Sequence, residues 1–323
     1  MFQRILVPLD GSTRAESALP VAARLAQASG GSVILLHVTV PPVSSGKFST
    51  PEAYAIIGTD EELAEATEHL KILAQSDTLK GVTTEVQTLV GAAAPTILAA
   101  TQALHADLLV LNSHGHTGFR HWKLGSVAHK LVPHSPVPVL VLRDGGPVPT
   151  TAAGHPVRAL VPLDGSPLSE AALLPAAQLV AALAPAAPRV LQLLRVEDMR
   201  PSYGKFRSAV DSYYDAQMRA QAKQEDEQYL RGVARRCAEG ELARYNLAVN
   251  STVEIDPDVA EAIVRVAEQT NGTEPSGAQV IAMATHGHGG LQHWVLGSVA
   301  ERVLQSTKLP LLVVHAVRGL QRT

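Results

Sequence analysis

Two aspartates and two glycine–serine pairs recur at matching places along this chain of 323 residues. Asp10 lies in the string Val-Pro-Leu-Asp-Gly-Ser, and Asp164 lies in a second copy of that string. Gly125-Ser126 and Gly297-Ser298 each begin a helical pattern. A carboxylate can accept hydrogen bonds from a ribose hydroxyl or a base amine. Backbone N–H groups and a serine hydroxyl at a helix start attract phosphate. The residue types therefore indicate two candidate ligand sites.

A further glycine precedes each glycine–serine pair. Nine residues separate Gly115 from Gly125, and the same spacing separates Gly287 from Gly297. Glycine lets the backbone adopt positive φ or approach a ligand closely. Taken singly, an Asp-Gly-Ser turn is often only a helix cap, and a glycine after a strand is often only a turn. The ordered set is more specific because it occurs twice.

These residues follow short apolar runs that alternate with helical patterns. Such alternation predicts an α/β fold in which helices cover both faces of a parallel sheet. Ligands bind beyond the carboxyl ends of strands in these sheets, where the strand order reverses. Asp10 follows the first run and Asn112 ends the fourth, so both face one crevice if their strands are neighbours. The strand-like runs of the first half are Arg4–Pro8, Ser32–Val38, Thr84–Val90, Leu108–Asn112 and Val137–Leu142.

Several helix boundaries can also be predicted. Ser12 and Ser166 suit N-caps, and Pro167 suits the first position of a helix. Apolar residues at helical spacing predict a helix over 15–25, and a helix rich in Gln and Glu covers 216–236.

The chain length suits two domains of about 150 residues each. Residues 143–156 hold many Gly, Pro and Thr residues, which discourage regular structure. We therefore predict a tandem duplication, with a first domain over 1–145, a linker over 146–156 and a second domain over 157–323. Residues 270–277 have the composition of a surface loop.

Composition argues against several functional classes. The net charge is −3 and aromatic residues make up 4%, so no nucleic-acid partner is expected. No apolar segment reaches the roughly 18 residues of a membrane span, and the start of the chain lacks a leader pattern. A cytoplasmic location without a membrane partner follows as the expectation. The single cysteine, Cys237, indicates no disulfide or metal site.

Three common catalytic motifs are absent from the sequence. There is no Gly-x4-Gly-Lys-Ser/Thr loop, no Gly-x-Gly-x-x-Gly after a first strand and no nucleophile elbow. Nothing recognisable positions an attacking water, so any nucleotide turnover should be slow.

Histidines also recur in both halves. Imidazole is a common metal ligand, but no acidic or cysteine partner accompanies these residues, and His-x-His in a turn need not converge. We therefore predict no metal site. The histidines are His114, His116, His121, His286, His288 and His293.

At this point the chain resembles a known family, the universal stress proteins, over almost its full length. The resemblance rests on the repeated Val-Pro-Leu-Asp-Gly-Ser, the Leu-His-Val end of the second strand and the closing Pro-Val-Pro-Val-Leu-Val-Leu strand. ATP-binding members of that family have the pattern Gly-x2-Gly-x9-Gly-Ser/Thr, and most of it occurs twice here.

The resemblance implies two tandem domains of the adenine nucleotide alpha hydrolase-like type, packed as an internal pseudo-dimer. Each would hold an open parallel five-stranded sheet of order 3-2-1-4-5 with helices on both faces. ATP, or ADP or AMP in its place, would lie at the ends of strands one and four, with Mg²⁺ as a companion ion. The implied role is stress-related binding or signalling, and further homo-oligomerisation stays open.

The resemblance also assigns ligand contacts to one set of positions in each half. In the first half these are Pro8, Asp10, Val38 and Leu111 for adenine and ribose, and Gly115, Gly125, Ser126 and Val127 for phosphate. In the second half they are Pro162, Asp164, Val196, Met283, Gly287, Gly297, Ser298 and Val299. The first glycine of the pattern is replaced by Asn112 and by Ala284.

That replacement leaves two alternatives open. Asparagine is bulkier than glycine, although it accepts positive φ better than most residues. The first alternative is therefore a nucleotide-free scaffold of the same fold. The second is a slow ATPase or nucleotidyl transferase.

Overall fold

The computed structural model describes residues 2–40, 51–113, 124–143, 145–146, 156–198, 209–269, 277–285 and 296–315. The chain divides into two compact units, Met1–Val148 and Pro149–Thr323. This division falls inside the predicted linker over 146–156, most of which lies outside the described residues. The linker and its bounds stay a prediction.

The first unit is a parallel sheet flanked by helices. Its strands are β1 (Arg4–Leu9), β2 (Ser32–Thr39), β3 (Thr83–Val90), β4 (Leu108–Asn112) and β5 (Val139–Leu142). Its helices are α1 (Thr13–Glu16), α2 (Leu19–Ser29), α3 (Pro51–Ala74), α4 (Ala93–Ala103) and α5 (Ser126–His134). The strands lie in the order β3-β2-β1-β4-β5, all parallel. The predicted order 3-2-1-4-5 is confirmed.

The second unit repeats this architecture. Its strands are β6 (Val157–Pro162), β7 (Arg189–Glu197), β8 (Ala248–Ile255), β9 (Val280–Ala284) and β10 (Leu311–Val314). Its helices are α6 (Pro167–Glu170), α7 (Leu173–Leu183), α8 (Ala209–Glu239), α9 (Val259–Ala267) and α10 (Ser298–Ser306). The strands lie in the order β8-β7-β6-β9-β10, again all parallel. Short 3-10 turns at Asp77–Leu79 and Glu241–Tyr245 precede β3 and β8.

The core of each unit is formed by its central strands. Ile5, Leu6 and Val7 of β1 are fully buried, as are Leu108 and Leu109 on the neighbouring β4. Strands that are covered by helices on both faces have no alternating polar side, which explains these continuous apolar runs. The predicted α/β class is thereby confirmed. No helix among the described residues is long and apolar enough to cross a membrane.

The region after β1 differs from the predicted helix over 15–25. It forms two helices, α1 and α2, with a turn at Ser17 and Ala18 between them. Pro20 lies in the first turn of α2 and has no amide hydrogen to donate to the carbonyl of Glu16. The apolar spacing is therefore correct, but proline interrupts the helix.

Candidate functional site

Each repeated aspartate shapes the turn that follows the first strand of its unit. Asp10 Oδ1 accepts hydrogen bonds from the Ser12 amide at 3.0 Å and from Ser12 Oγ at 2.6 Å. Ser12 Oγ in turn accepts from the Ala15 amide at 3.2 Å and caps α1, as predicted. Gly11 has a φ of 78°, a conformation that glycine adopts at little cost. The turn holds the Asp10 carboxyl group at the carboxyl end of β1.

The second unit builds the same turn with the same atoms. Asp164 Oδ1 accepts from the Ser166 amide at 2.9 Å and from Ser166 Oγ at 2.6 Å. Ser166 caps α6, and Pro167 is the first residue of that helix, as predicted. The position of Gly11 is taken by Gly165, with a φ of 84°. The repeated string therefore encodes one aspartate turn twice.

A second connection places the glycine–serine helix start beside the fourth strand. The Gly125 amide donates to the Ser113 carbonyl at 2.7 Å, and the Ser113 amide donates to the Leu142 carbonyl at 2.8 Å. Ser113 follows β4, and Gly125 is the N-cap residue of α5. The start of α5 is thus fixed at the same sheet edge as Asp10, because β1 and β4 are paired neighbours.

The second unit again repeats the connection. The Gly297 amide donates to the Thr285 carbonyl at 2.8 Å, and the Thr285 amide donates to the Val314 carbonyl at 2.9 Å. A Cβ atom at Gly297 would lie 2.8 Å from that carbonyl oxygen, which is too close for an unstrained contact. Glycine is required here for the close approach of two backbones, since Gly297 itself has an ordinary φ of −61°.

In the first unit these elements enclose a cavity of about 290 Å³. This volume is close to the lower end, about 300 Å³, of the range for small-molecule sites. The cavity brings together every predicted contact residue of the first half that the structure describes. These are Pro8, Asp10, Val38, Leu111, Asn112, Gly125, Ser126 and Val127.

The cavity also has a lining that the sequence did not predict. Ala93 and Ile97 of α4 contribute from one side, and Leu131 contributes from α5. Leu36 and His37 precede Val38 on β2. The start of α4 reaches the cavity because β3, which leads into it, lies beside β2 in the sheet. The predicted strand order carried this signal, since it places the residues that follow the third strand next to the second.

The side chain at the first glycine position of the pattern has a structural role in the first half. Asn112 Nδ2 donates to the Arg14 carbonyl at 3.0 Å and to Ser17 Oγ at 2.7 Å. These bonds tie the end of β4 to the end of α1. The larger side chain is therefore held against a helix terminus by its own hydrogen bonds.

The described residues predicted for the second half occupy matching elements. Pro162 ends β6 and Asp164 follows it; Val196 lies near the end of β7. Met283 and Ala284 end β9, while Gly297, Ser298 and Val299 begin α10. Strands β6 and β9 are paired neighbours, so these residues share one sheet edge.

Charged groups crowd the end of β7 in the second unit. The guanidinium of Arg195 donates to Asp226 on α8 at 3.0 Å and to Glu197 at 3.4 Å. Burial raises the pKa of Glu197 above its ordinary value, the nearby carboxyl group of Asp226 raises it further, and the charge of Arg195 partly offsets both. This cluster joins the long helix α8 to the sheet.

Several predicted residues lie outside the described part of the chain. They include Gly115 and Gly287 as well as the six repeated histidines. Within the described residues, no group of three His, Cys, Asp or Glu side chains could hold a metal ion.

Comparison with known proteins decides the family. The sequence model of the universal stress protein family matches residues 1–143 and 157–315. The chain belongs to the universal stress protein family. Two universal stress protein regions therefore follow one another, and each contains one aspartate turn and one glycine–serine helix start.

Relatives of this family match either one unit or both. A universal stress protein of Bacillus subtilis is 32% identical over 148 residues, covering 44% of this chain and 100% of its own length. A universal stress protein of Mycobacterium bovis is 26% identical over 316 residues, covering 96% of both chains. The tandem arrangement is thus shared with a full-length relative.

Solved structures show the same fold over the whole chain. A universal stress protein of Archaeoglobus fulgidus matches with a TM-score of 0.64 at 21% identity, covering 97% of this chain and 98% of that one. A protein of unknown function from Pseudomonas aeruginosa matches with a TM-score of 0.59 at 18% identity, covering 98% of this chain and 93% of that one.

Proposed function

We propose that this universal stress protein binds an adenine nucleotide, with ATP as the first choice, and acts by binding rather than by fast catalysis. The observation that carries the proposal is the cavity of the first unit, which gathers Asp10 and the start of α5 at one sheet edge. This edge is where parallel α/β sheets bind ligands.

The cavity has one end suited to a base and one suited to phosphate. Apolar side chains of Val38, Ile97 and Leu111 offer a surface on which a planar base can pack. Asp10 can accept a hydrogen bond from a ribose hydroxyl through its carboxylate. At the other end, the first amides of α5 and the exposed Ser126 hydroxyl suit the phosphates.

The ionisable groups of the cavity favour binding over hydrolysis. Among the described residues that line it, only Asp10 and His37 have ionisable side chains. Asp10 Oδ1 is already engaged by the amide and hydroxyl of Ser12. Rapid phosphoryl transfer needs a group that orients the attacking water in line with the leaving group, and the described lining offers no dedicated one.

The proposal is tested by titrating the full chain calorimetrically with ATP, ADP and AMP, with and without Mg²⁺. GTP and inorganic tripolyphosphate serve as ligand controls, because the first tests base selectivity and the second tests phosphate binding alone. We expect saturable binding of at least one adenine nucleotide and weaker binding of both controls. Heats that never saturate with any adenine nucleotide would refute the proposal.

A matched pair of variants locates the phosphate end. Ser126→Glu places a carboxylate at the first position of α5, where it favours the helix but repels phosphate. We expect ATP affinity to fall at least about tenfold while the melting temperature of the free protein stays the same or rises. Thr78→Glu is the control, since Thr78 is exposed and lies before the amino-terminal end of β3, at the opposite end of the strands from the cavity. Equal effects of the two variants would contradict this placement.

A further inference from the structure

The two candidate crevices share a backbone framework but differ in charge. Helices α4 and α9 each pack against the glycine–serine helix of their unit. The N-cap residue of α4 is Ala92, whereas the N-cap residue of α9 is Asp258. Asp258 Oδ1 accepts from the Glu261 amide at 3.1 Å and thereby caps α9. A carboxylate thus occupies a position that is apolar in the first unit.

The Asp258 carboxylate is bonded to the helix whose start would receive phosphate. Its Oδ2 accepts a hydrogen bond from Nη2 of Arg302 on α10. Arg302 lies one helical turn after Ser298, so the contact spans from α9 to the first turns of α10. The hydrogen bond and charge of Arg302 hold the pKa of Asp258 below its ordinary value. The carboxylate therefore stays charged, and it offsets the cation that could otherwise attract phosphate.

Other substitutions at equivalent positions add negative charge to the second unit. Glu301 lies in the first turn of α10, where α5 has His129. The strand that carries Val196 ends in Glu197 and is followed by Asp198, where the first unit has Thr39 and Val40. Arg195, at the position of His37, offsets only part of this added negative charge because it also pairs with Asp226. Acidic side chains around a crevice lower its local potential and disfavour anions.

We propose that each chain binds one adenine nucleotide, in the first unit, and that the acidic second crevice excludes polyphosphate ligands. The inference rests on the proposed function and goes beyond it by assigning the two repeats different roles. In the first unit the start of α5 lines the cavity, whereas at the matching helix α10 the carboxylates of Asp258 and Glu301 oppose the field of the first helix amides. Like charges within a few ångströms of a polyphosphate weaken its binding even where water screens them.

The test counts nucleotide equivalents on the full chain by equilibrium dialysis with radiolabelled ATP and Mg²⁺. We expect one equivalent per wild-type chain. Transfer of the acidic pattern into the first unit by Ala92→Asp/His129→Glu should weaken this equivalent about tenfold or more. Removal of charge from the second unit by Asp258→Asn/Glu301→Gln should leave the first nucleotide equivalent in place. It should also add a second equivalent that binds more weakly.

Both double variants are chosen so that folding is preserved. Ala92 is exposed and has extended φ and ψ values of −71° and 123°, so aspartate there is a better N-cap than alanine. Asparagine caps helices about as well as aspartate, and glutamine has the size of glutamate. Thermal melting of each free variant verifies this. If ATP binding weakens while thermal stability does not fall, the loss of affinity is caused by the added negative charge and not by misfolding.

The outcomes separate this inference from the proposed function. Two equivalents of similar affinity on the wild-type chain would overturn the inference and leave nucleotide binding intact. So would a single equivalent that Ala92→Asp/His129→Glu does not weaken, or a count that stays at one in Asp258→Asn/Glu301→Gln. Absence of any bound ATP on the wild-type chain would overturn the proposed function and the inference together.

Discussion

At the scale of single residues, one carboxylate oxygen of the repeated aspartate accepts two hydrogen bonds in each repeat. Oδ1 of Asp10 accepts from both the amide and the hydroxyl of Ser12, and Ser12 Oγ caps α1. A helix-capping turn and a ligand contact are therefore compatible in one aspartate, because the turn fixes where the carboxyl group lies. The sequence could not distinguish these two uses, since both require the same residues at the same spacing.

Asn112 gives a prediction at this scale. Replacement by Gly, the residue of the family pattern, removes the bonds to the Arg14 carbonyl and to Ser17 Oγ. We expect the free energy of unfolding to fall by between about 1 and 2 kcal/mol, since hydrogen bonds are lost and glycine is more flexible in the unfolded chain. ATP affinity should not fall. Urea unfolding and calorimetry check the two parts.

Asn112→Ala is the control for this change, because it removes the same bonds without the added flexibility of glycine. It should cost less stability than Asn112→Gly. A loss of ATP binding in both variants, with stability unchanged, would show that Asn112 contacts the ligand and does not mainly anchor α1.

The same Gly→Ala substitution should have opposite effects on stability at two positions. Gly297→Ala places a methyl group 2.8 Å from the Thr285 carbonyl oxygen, so the connection to α10 must shift. Gly232→Ala lies inside α8, where the nearest atom to the new methyl is Arg236 Nη1 at 3.8 Å. We expect the first to destabilise by at least about 1 kcal/mol and the second to stabilise by up to about 1 kcal/mol. Thermal melting of both variants tests these expectations. A Gly297→Ala protein more stable than the wild type would contradict the close approach of Gly297 to the Thr285 carbonyl.

At the scale of elements, most of the architecture could be predicted from the sequence. Continuous apolar runs such as Val33–Leu36 fixed the strands to within a few residues, because buried parallel strands tolerate few polar side chains. The split between α1 and α2 was missed, since apolar spacing continues through it while the missing amide of Pro20 interrupts the helix. The contribution of α4 to the cavity was missed as well, although the predicted strand order placed it beside β2, because the apolar residues Ala93 and Ile97 belong to no ligand-binding pattern.

The contact between β7 and α8 gives a pH-dependent prediction. The pKa of Glu197 in the folded protein is raised above 4.5, mainly by burial and then by Asp226. A carboxyl group of this kind favours the fold when protonated, and this contribution is lost as pH rises through its folded pKa. Glu197→Gln keeps the size and stays neutral, and its amide can donate to Asp226. It should therefore increase the free energy of unfolding at pH 7, with a gain that shrinks as pH falls toward 4.5.

The control for Glu197→Gln is Glu241→Gln, in which the lost ion pair to Arg244 is exposed to solvent. Exposed pairs contribute at most about 1 kcal/mol, so this change should alter stability little. Urea unfolding of both variants between pH 7 and pH 4 makes the comparison. A Glu197→Gln protein that is less stable than the wild type at pH 7 would contradict the raised pKa.

At the scale of the whole molecule, duplication has kept a backbone framework while its charges diverged. Asp10 and Asp164 sit in nearly identical turns, and Gly125 and Gly297 make the same backbone contact. The acidic side chain of Asp258 has no counterpart at Ala92. The repeated strings predicted two matching crevices but could not rank them as nucleotide sites, because the repeated residues set the backbone. The charge difference lies at helix N-caps whose partners are seen only in the structure.

Hydrogen exchange of the full chain with and without ATP gives the prediction at this scale. Amides after β1 and β4 and at the start of α5 should exchange more slowly when ATP is bound, because the proposed site places them against the ligand. The corresponding amides at the start of α10 should exchange at unchanged rates. Protection of both helix starts to a similar degree would contradict one nucleotide per chain.

The most direct test of the central claim is mass spectrometry of the small molecules released when the purified wild-type protein is denatured, followed by thermal melting of nucleotide-free protein with added ATP and Mg²⁺. Nucleotide binding predicts a released adenine nucleotide, or a melting temperature that rises with ATP concentration. Absence of any adenine nucleotide, together with a melting temperature that ATP does not change, would contradict it.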